Sequence, residues 1–497
     1  MTVTVSDAET LWGHPKGLYV LFFTELWERF SFYGMRALLI FYLTRHFLYS
    51  GQQSGLLYGS YLALVFLSPM IGGYLADRWL GQRKAVLFGG VVIACGHIVL
   101  GLEDALGAGA QSIFWIGLSL IVVGTGFLKA NVSALVGKLY AEHDPRRDSA
   151  YTIFYMGINL GGAIGPVICG LLGETLGWSY GFGAAAVGMV AGVAVFARGK
   201  RHLLGVGEAP YPAALAQRLF GVPREWIVYG LTLPLTLLSW LLLVSPKLTG
   251  TLLAVGGALI GLFLIWIALS RLAGDERRKL LYALALIVIQ PVFWGLYEQS
   301  GSSLNLFIDH HVNRTISGFE VPASVFQALP PFFVCLIALP FAGLWLRLAK
   351  AGRMPTPLSS FGFGIIMVGG GFVLMAMAQW VPADQKVPLA FILLLFLCHA
   401  VGEMCLSPVG LSAMSRFAPR HMASFLMGTW FLATAAGNFS AGVIASVIEA
   451  MGGGATGGDR AIILDAYLRI GLVAAVIGAL VLAVNVGAQR TLRPASR

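Results

Sequence analysis

The stretch Glu25-Leu26-Trp27-Glu28-Arg29-Phe30-Ser31-Phe32-Tyr33-Gly34-Met35-Arg36 puts four charges inside a run that is uncharged from Gly17 to Thr24 and again from Ala37 to Thr44. As a helix, Glu25, Glu28 and Arg29 fall at i, i+3 and i+4 and share one face. Arg36, seven residues beyond Arg29, continues that face. The stripe climbs about 16 Å at 1.5 Å per residue. The flanks have the length and apolarity of a membrane span, and an ionisable side chain at the bilayer centre costs about 2.5–3.5 kcal/mol. The stripe therefore reads either as a set of structural ion pairs inside a bundle or as the lining of a passage.

Composition supports the bilayer as solvent. Of 497 residues, 57% are hydrophobic and only 11% charged, with a mean hydropathy of +0.79. A soluble domain carries about a quarter charged residues. The net charge of +10 does not point to nucleic acid, because the basic residues sit in short clusters between apolar runs, as cytoplasmic loops do. Asp7 and Glu9 lie where a cleavable signal would need basic residues, so none is expected. Cys95, Cys169, Cys335, Cys398 and Cys405 fall in apolar stretches without metal-ligand spacing and read as buried small hydrophobes.

About fourteen spans fit the chain at roughly twenty residues each, the first centred near Tyr33 and the last near Gly478. The expected class is an all-α membrane protein. One set of loops holds Arg78/Arg83/Lys84, Arg146/Arg147, Arg198/Lys200/Arg201, Arg277/Arg278/Lys279, Arg347/Lys350/Arg353 and Arg416/Arg420; the opposite set holds Arg45, Lys247, Arg314, Lys386 and Arg460. The richer side reads as cytoplasmic, with both termini on it. Six spans precede the polar stretch from Arg198 to Arg224. Two follow (Glu225–Leu243 and Leu248–Leu272), and six more come after Lys279. The expected division is an N-terminal six-helix bundle over 1–200, a linker with an inserted transmembrane hairpin over 201–275, and a C-terminal six-helix bundle over 276–497. The ends of the second span (Gly73 to Arg78) and of its counterpart (Gly343 to Arg347) echo one another.

The mid-span ionisable residues are Glu25, Glu28, Arg29, Arg36, Lys129, Glu298 and Glu403. Counting each half as six, they occupy the first and fourth spans of both. Two pseudo-symmetric halves would set those helices around one cavity, which random structural pairing has no reason to do. Four carboxylates face three cations, so one proton neutralises the set and a zwitterion leaves the balance unchanged. Neutrality is favoured in a low-dielectric site. This balance suggests proton coupling with a zwitterion.

The segment from Glu25 to Gly34 resembles the ExxERFxYYG signature of the proton-dependent oligopeptide transporter family, within the major facilitator superfamily. Gly124–Asn131, Phe154–Gly161, Phe293–Gln299, Glu403–Leu411 and Trp430–Asn438 resemble its fourth-, fifth-, seventh-, tenth- and eleventh-helix motifs. The inserted hairpin resembles bacterial members. The resemblance implies an inner-membrane symporter that imports di- and tripeptides by alternating access. Protons would be the coupling ion, with no cofactor, metal, nucleotide or nucleic acid, and the protein would be monomeric in the bilayer.

By the same resemblance, Glu25, Glu28, Arg29, Lys129 and Glu298 couple protons, and Arg36 with Glu298 forms a gate. Arg29, Arg36 and Lys129 would hold the peptide carboxylate, and Asn159 and Glu403 its amine. Tyr33, Trp294 and Trp430 would shape side-chain pockets, with Glu298 and Ser407 completing the substrate-binding set. The chain departs from the pattern at Phe32 and Phe66, where Tyr is usual, at Ala130 for Pro, and at Pro330 for Asn. These changes bear on substrate preference.

Other features read more plainly. His97 and His399 are either packed neutral histidines or proton relays. His310-His311 beside Asp309 is expected in an exposed extracellular loop, where a metal site is the weaker reading. Gly161-Gly162-Ala163-Ile164-Gly165 lies in a span and follows no strand, so it reads as helix packing, and no Walker motif is present. Two alternatives stay open: a family member carrying nitrate or an amino acid, and a membrane sensor. A simple anion gives Glu403 no amine to bind, and a sensor would want a soluble output domain.

Overall fold

The computed structural model describes residues 10–106, 111–141, 143–417, 419, 422–452 and 458–492; Asp7, Glu9 and Arg420 lie outside the described residues. Fourteen long helical segments follow in order among those residues. They are α1 Lys16–Phe41, α2 Gly51–Leu75, α3 Gln82–Leu106, α4 Gln111–Lys138, α5 Arg146–Thr175, α6 Trp178–Gly199, α7 Arg224–Val244 (with a break at Leu231), α8 Pro246–Ser270, α9 Gly274–Tyr297, α10 Leu329–Lys350, α11 Pro357–Ala376, α12 Leu389–Phe417, α13 Ala423–Met451 and α14 Arg460–Leu492. The thirteen from α2 onward are long and apolar enough to cross a membrane. The 26-residue α1 has the length and differs by its stripe of charges. The chain is an all-α, multi-span membrane protein. Among the described residues, strands are confined to two-residue hairpins outside the long helices, such as Thr10–Leu11 with His14–Pro15.

The chain forms two compact units. One comprises residues 1–42, 64–246 and 324–328, the other residues 43–63, 247–323 and 329–497. In the first, α1 packs along α5 and α6, and α3 along α4 and α6. In the second, α9 packs along α13, and α11 along α12 and α14. The pairings α1 with α5, α3 with α4 and α3 with α6 thus recur as α9 with α13, α11 with α12 and α11 with α14. Within the first unit, α7 lies on α4 and leaves Leu233, Leu237 and Leu241 exposed, as lipid-facing residues are.

Without a hydrophobic drive between helices in lipid, close backbone approach needs small residues. A Cβ on Gly89 of α3 would fall 2.6 Å from the carbonyl oxygen of Gly124 of α4, and one on Gly124 would fall 2.7 Å from that of Gly89. In the second unit, Gly369 of α11 and Gly471 of α14 face each other in the same way, at 2.7 Å both ways. Gly157, Gly161 and Gly165 of α5, spaced one turn apart, seat the α1 backbone between Phe22 and Gly34. That groove holds the charged helix against protein rather than lipid.

Three features depart from expectation. Cys95 is exposed and Cys335 and Cys398 are partly so, leaving Cys169 and Cys405 as the buried pair of types expected. His310 and His311 end a short helix, Ser303–His311, instead of lying in an open loop. Asp309 is 7% exposed because Arg45 and Arg314 close over it. Finally, the ninth span bends: α9 ends at Tyr297, and a tight turn over Glu298–Gly301 precedes the short helix.

The N-terminal hairpin is pinned to the α4–α5 connection. Arg146 donates to the Gly13 carbonyl at 2.9 Å and grips Asp144 through two nitrogens; those hydrogen bonds hold the Asp144 carboxyl down to about 2. His14 Nδ1 meets the Tyr140 hydroxyl at 2.8 Å. Burial, with Arg146 nearby, lowers the His14 pKa below its ordinary 6.5.

Two outcomes follow. Gly161→Ala pushes a methyl into the α1 backbone and should lower stability by about 1–3 kcal/mol, read as a reduced thermal midpoint in detergent. Gly183→Ala, with nothing within 4 Å, should be neutral. Because docking favours neutral His14, the hairpin's docking is complete above pH 6.5 and is lost as pH falls through 6.5 toward the lowered value. Protease cleavage near residues 10–15 should rise from pH 7 to pH 5, and His14→Gln should flatten that dependence.

Candidate functional site

The first three charges of the α1 stripe are matched within the helix. Arg29 Nε lies 3.1 Å from Glu25 Oε1 and also pairs with Glu28 Oε2. Glu25, Glu28 and Arg29 are 3%, 1% and 4% exposed. The match is incomplete: Arg29 Nη2 and Glu25 Oε2 are buried with no hydrogen-bond partner among the described residues. A buried donor or acceptor left open costs about 1–3 kcal/mol, more when charged. The cluster therefore keeps one donor and one acceptor unspent.

Two turns on, Arg36 is also buried. Its guanidinium carbon stands 5.0 Å from the Tyr33 ring centroid, and its Nε is 3.5 Å from Gln327 Oε1. Gln327 donates in turn to the Ala37 carbonyl at 3.3 Å. Lys129 reaches from α4, its Nζ 3.8 Å from the centre of the Phe66 ring, and acts electrostatically on Glu25. Asn159 of α5 is buried and donates to the Tyr155 carbonyl at 3.0 Å. The first unit thus gathers Glu25, Glu28, Arg29, Tyr33, Arg36, Lys129 and Asn159 on α1, α4 and α5.

In the second unit, Glu403 of α12 accepts a 2.5 Å hydrogen bond from the Tyr297 hydroxyl. Tyr297 stacks on Phe293, with centroids 5.6 Å apart, and meets Trp294 edge-on at 5.5 Å. The Trp294 indole nitrogen is buried without a hydrogen-bond partner among the described residues. Glu298, 3% exposed, sits at the turn where α9 ends. Trp430 of α13 packs against Phe361, with Gly410 of α12 making room for its ring. Ser407 lies one turn past Glu403 on α12 and is half-buried.

Sequence reasoning did not find Tyr297, which holds Glu403 from 106 residues away, or Gln327, 291 residues from Arg36. It also passed over the buried carboxylates Glu103 and Glu449, which lie at helix ends and resemble loop charges. Glu103 accepts from the Tyr42 hydroxyl, and Glu449 stands against Gly51, where α2 begins. His97 is fully buried, and neither ring nitrogen has a hydrogen-bond partner among the described residues. That supports packing over a relay, since a relay needs a hydrogen-bonded chain.

Residues 83–457 match the model of the POT family. The chain is 36% identical over 462 residues to a peptide transporter of Yersinia enterocolitica, covering 89% of each. It is 33% identical over 449 residues to a di-/tripeptide transporter of Lactococcus lactis, covering 86% of this chain and 88% of the other. A crystal structure of a peptide transporter POT in complex with sulfate superposes with a TM-score of 0.82 at 31% identity, covering 98% of this chain and 97% of that one.

Removing one partner of a buried ion pair costs about 3–5 kcal/mol, because the other charge is left uncompensated. Arg29→Leu should therefore lower the thermal midpoint sharply, and adding Glu28→Gln in the same chain should recover part of the loss. A single Arg29→Leu variant as stable as the parent would show that the cluster is solvated.

Proposed function

This chain belongs to the POT family, and we propose that it imports di- and tripeptides together with protons by alternating access. The observation that carries the reading is the half-satisfied cluster on α1. Arg29 keeps a buried donor open, which suits a carboxylate oxygen, while Glu25 keeps a buried acceptor open, which suits a proton. A proton on either carboxylate weakens its grip on Arg29 and releases the guanidinium toward an anionic group. A carboxylate bound to Arg29 in turn frees the glutamate to take a proton. Substrate and proton then favour each other's binding.

The remaining roles are those that the family resemblance implies. Arg29, Arg36 and Lys129 take the peptide carboxylate. Asn159 and Glu403 take the ammonium, with the Tyr297 hydrogen bond orienting the Glu403 carboxylate. Tyr33, Trp294, Ser407 and Trp430 shape the side-chain space. Arg36 and Glu298 form a gate that answers to protonation, Glu298 serving also in coupling. Protons are the coupling ion, and no cofactor enters the cycle. The inner membrane, cytoplasmic termini and a monomeric state complete the proposal, supported by the distribution of Lys and Arg and by the bacterial relatives.

A nitrate or amino-acid carrier is the second reading, and nitrate would leave the partly buried Tyr297–Glu403 pair without an ammonium to meet. Proteoliposomes decide between them. Labelled dialanine should accumulate under an inward proton gradient and only equilibrate without one. Glu28→Gln, which mimics the protonated state, should keep exchange of dialanine down its own gradient and lose proton-driven accumulation. Accumulation with an unchanged pH dependence in Glu28→Gln would move coupling to another carboxylate.

A further inference from the structure

The second unit carries a charged cluster at the end of the short helix Ser303–His311, apart from the residues given roles above. Asp309 is its centre. Arg45, in the helical turn Tyr42–His46 that extends α1, pairs with Asp309 Oδ2, and Arg314 Nη2 lies 3.3 Å from Asp309 Oδ1. His310 Nε2 stands 3.7 Å from the same oxygen that Arg45 takes. The two arginines are held differently. Arg314 is 11% exposed, donates to the Val321 carbonyl at 2.7 Å and reaches Glu320 at 3.0 Å. Arg45 is 40% exposed, so water can take its guanidinium when the carboxylate lets go.

The backbone beside His310 is fixed. The Val387 N–H donates to the His311 carbonyl at 2.8 Å, and the Asn313 N–H donates to the Val387 carbonyl at 2.9 Å. That pairing brings Lys386 to the cluster. The charged groups bearing on His310 are Asp309, Arg45, Arg314 and Lys386, and the His311 ring centroid is 6.3 Å away. An unperturbed imidazole titrates near pH ~6.5, within the physiological range. Neutral His310 adds no charge to the cluster. As an imidazolium it brings a further cation to a carboxylate that two arginines already share, and it meets Arg45 at one oxygen. Arg314 is committed to Val321 and Glu320, so the exposed Arg45 is the group that yields.

We propose that Asp309 and His310 form an acid-sensitive clasp on the connection between α1 and α2, in which neutral His310 leaves Arg45 fastened to Asp309 and protonated His310 releases it. Arg45, Arg314 and Lys386 belong to the loops poorer in Lys and Arg, the external side by the positive-inside rule. The clasp therefore answers to acid outside the cell. It lies apart from the α1 carboxylates and does not depend on the identity of the cargo.

The test follows a spin label at Leu48→Cys, an exposed position in the same connection, in a chain whose five native cysteines are replaced by alanine. In lipid nanodiscs, the mobile fraction of the label should rise roughly two- to fivefold as the pH falls from about 7 to about 5, the range in which an imidazole gains its proton and the size expected for a partly exposed ion pair. His310→Gln, neutral throughout, should keep the label immobile across that range. His310→Lys, charged throughout, should keep it mobile at both ends. Arg45→Gln should also be mobile at both ends, and adding His310→Gln to it should change nothing. If the chain without cysteines does not fold, thermal midpoints of the parent, His310→Gln, Arg45→Gln and the double variant at the two pH values carry the same test. The part of the acid-induced loss that His310→Gln removes should vanish in the Arg45→Gln background, and matched chains cancel the contribution of His14.

A merely structural His310 would alter mobility or stability by the same amount at both pH values. That result overturns the inference, as does a label whose mobility in the parent does not change with pH or changes equally in His310→Gln.

Discussion

The guanidinium of Arg29 lies between two carboxylates of its own helix, with all three groups less than 5% exposed. A span carrying those charges is too polar to face lipid on that side, so neighbouring helices must enclose it. α5 meets the demand with three glycines one turn apart that let its backbone close on α1. α6 adds Gly188 and Gly192, which receive Phe30 and Trp27 from α1. The small residues that α5 and α6 turn toward α1 therefore serve to enclose its charges. Larger side chains on α5 would hold α1 at a distance and expose the pair to hydrocarbon or water.

The charged site was legible because a charge in an apolar run contrasts so strongly with its surroundings. Glu25, Glu28, Arg29, Arg36 and Lys129 needed no partner to be noticed, and helical periodicity placed the first four on one face. Spans α2 to α14 were legible by length and apolarity alone. Features that depend on long-range geometry were not legible. The Tyr297 hydroxyl reads as an interfacial aromatic until Glu403 is found against it. Glu103 and Glu449 lie near helix ends, where carboxylates are ordinarily solvated, and only tertiary packing reveals them as buried. The break after Tyr297 hides in an apolar stretch that resumes at Leu304 and runs to Ile308. Its local signal is the run Ser300-Gly301-Ser302-Ser303, which favours a turn over an uninterrupted helix.

The repeated pairings within each unit give physical content to the faint echo in the sequence. Side chains differ between corresponding helices, yet the backbones meet through glycine pairs in both units, Gly89 with Gly124 in one and Gly369 with Gly471 in the other. Packing of this kind constrains only the few positions where backbones touch. Positions away from those contacts are free to diverge, and so the first unit buries Glu25, Glu28, Arg29, Arg36 and Glu103 while the second buries Glu298 and Glu449.

Two ways of accommodating a cation coexist in the first unit. Pairing with carboxylates, as Arg29 does, commits lone pairs of Glu25 and Glu28 to the guanidinium. A ring beneath the cation, as Phe66 lies beneath Lys129, adds an attraction that uses no lone pair, beside the action of Lys129 on Glu25. A site made only of pairs would be stable and unresponsive, with every carboxylate committed. A site made only of cations on rings would lack the acceptor that a proton needs. The cluster retains both a buried acceptor on Glu25 and a buried donor on Arg29, and the proposed coupling of a proton to an anionic group rests on that residual imbalance.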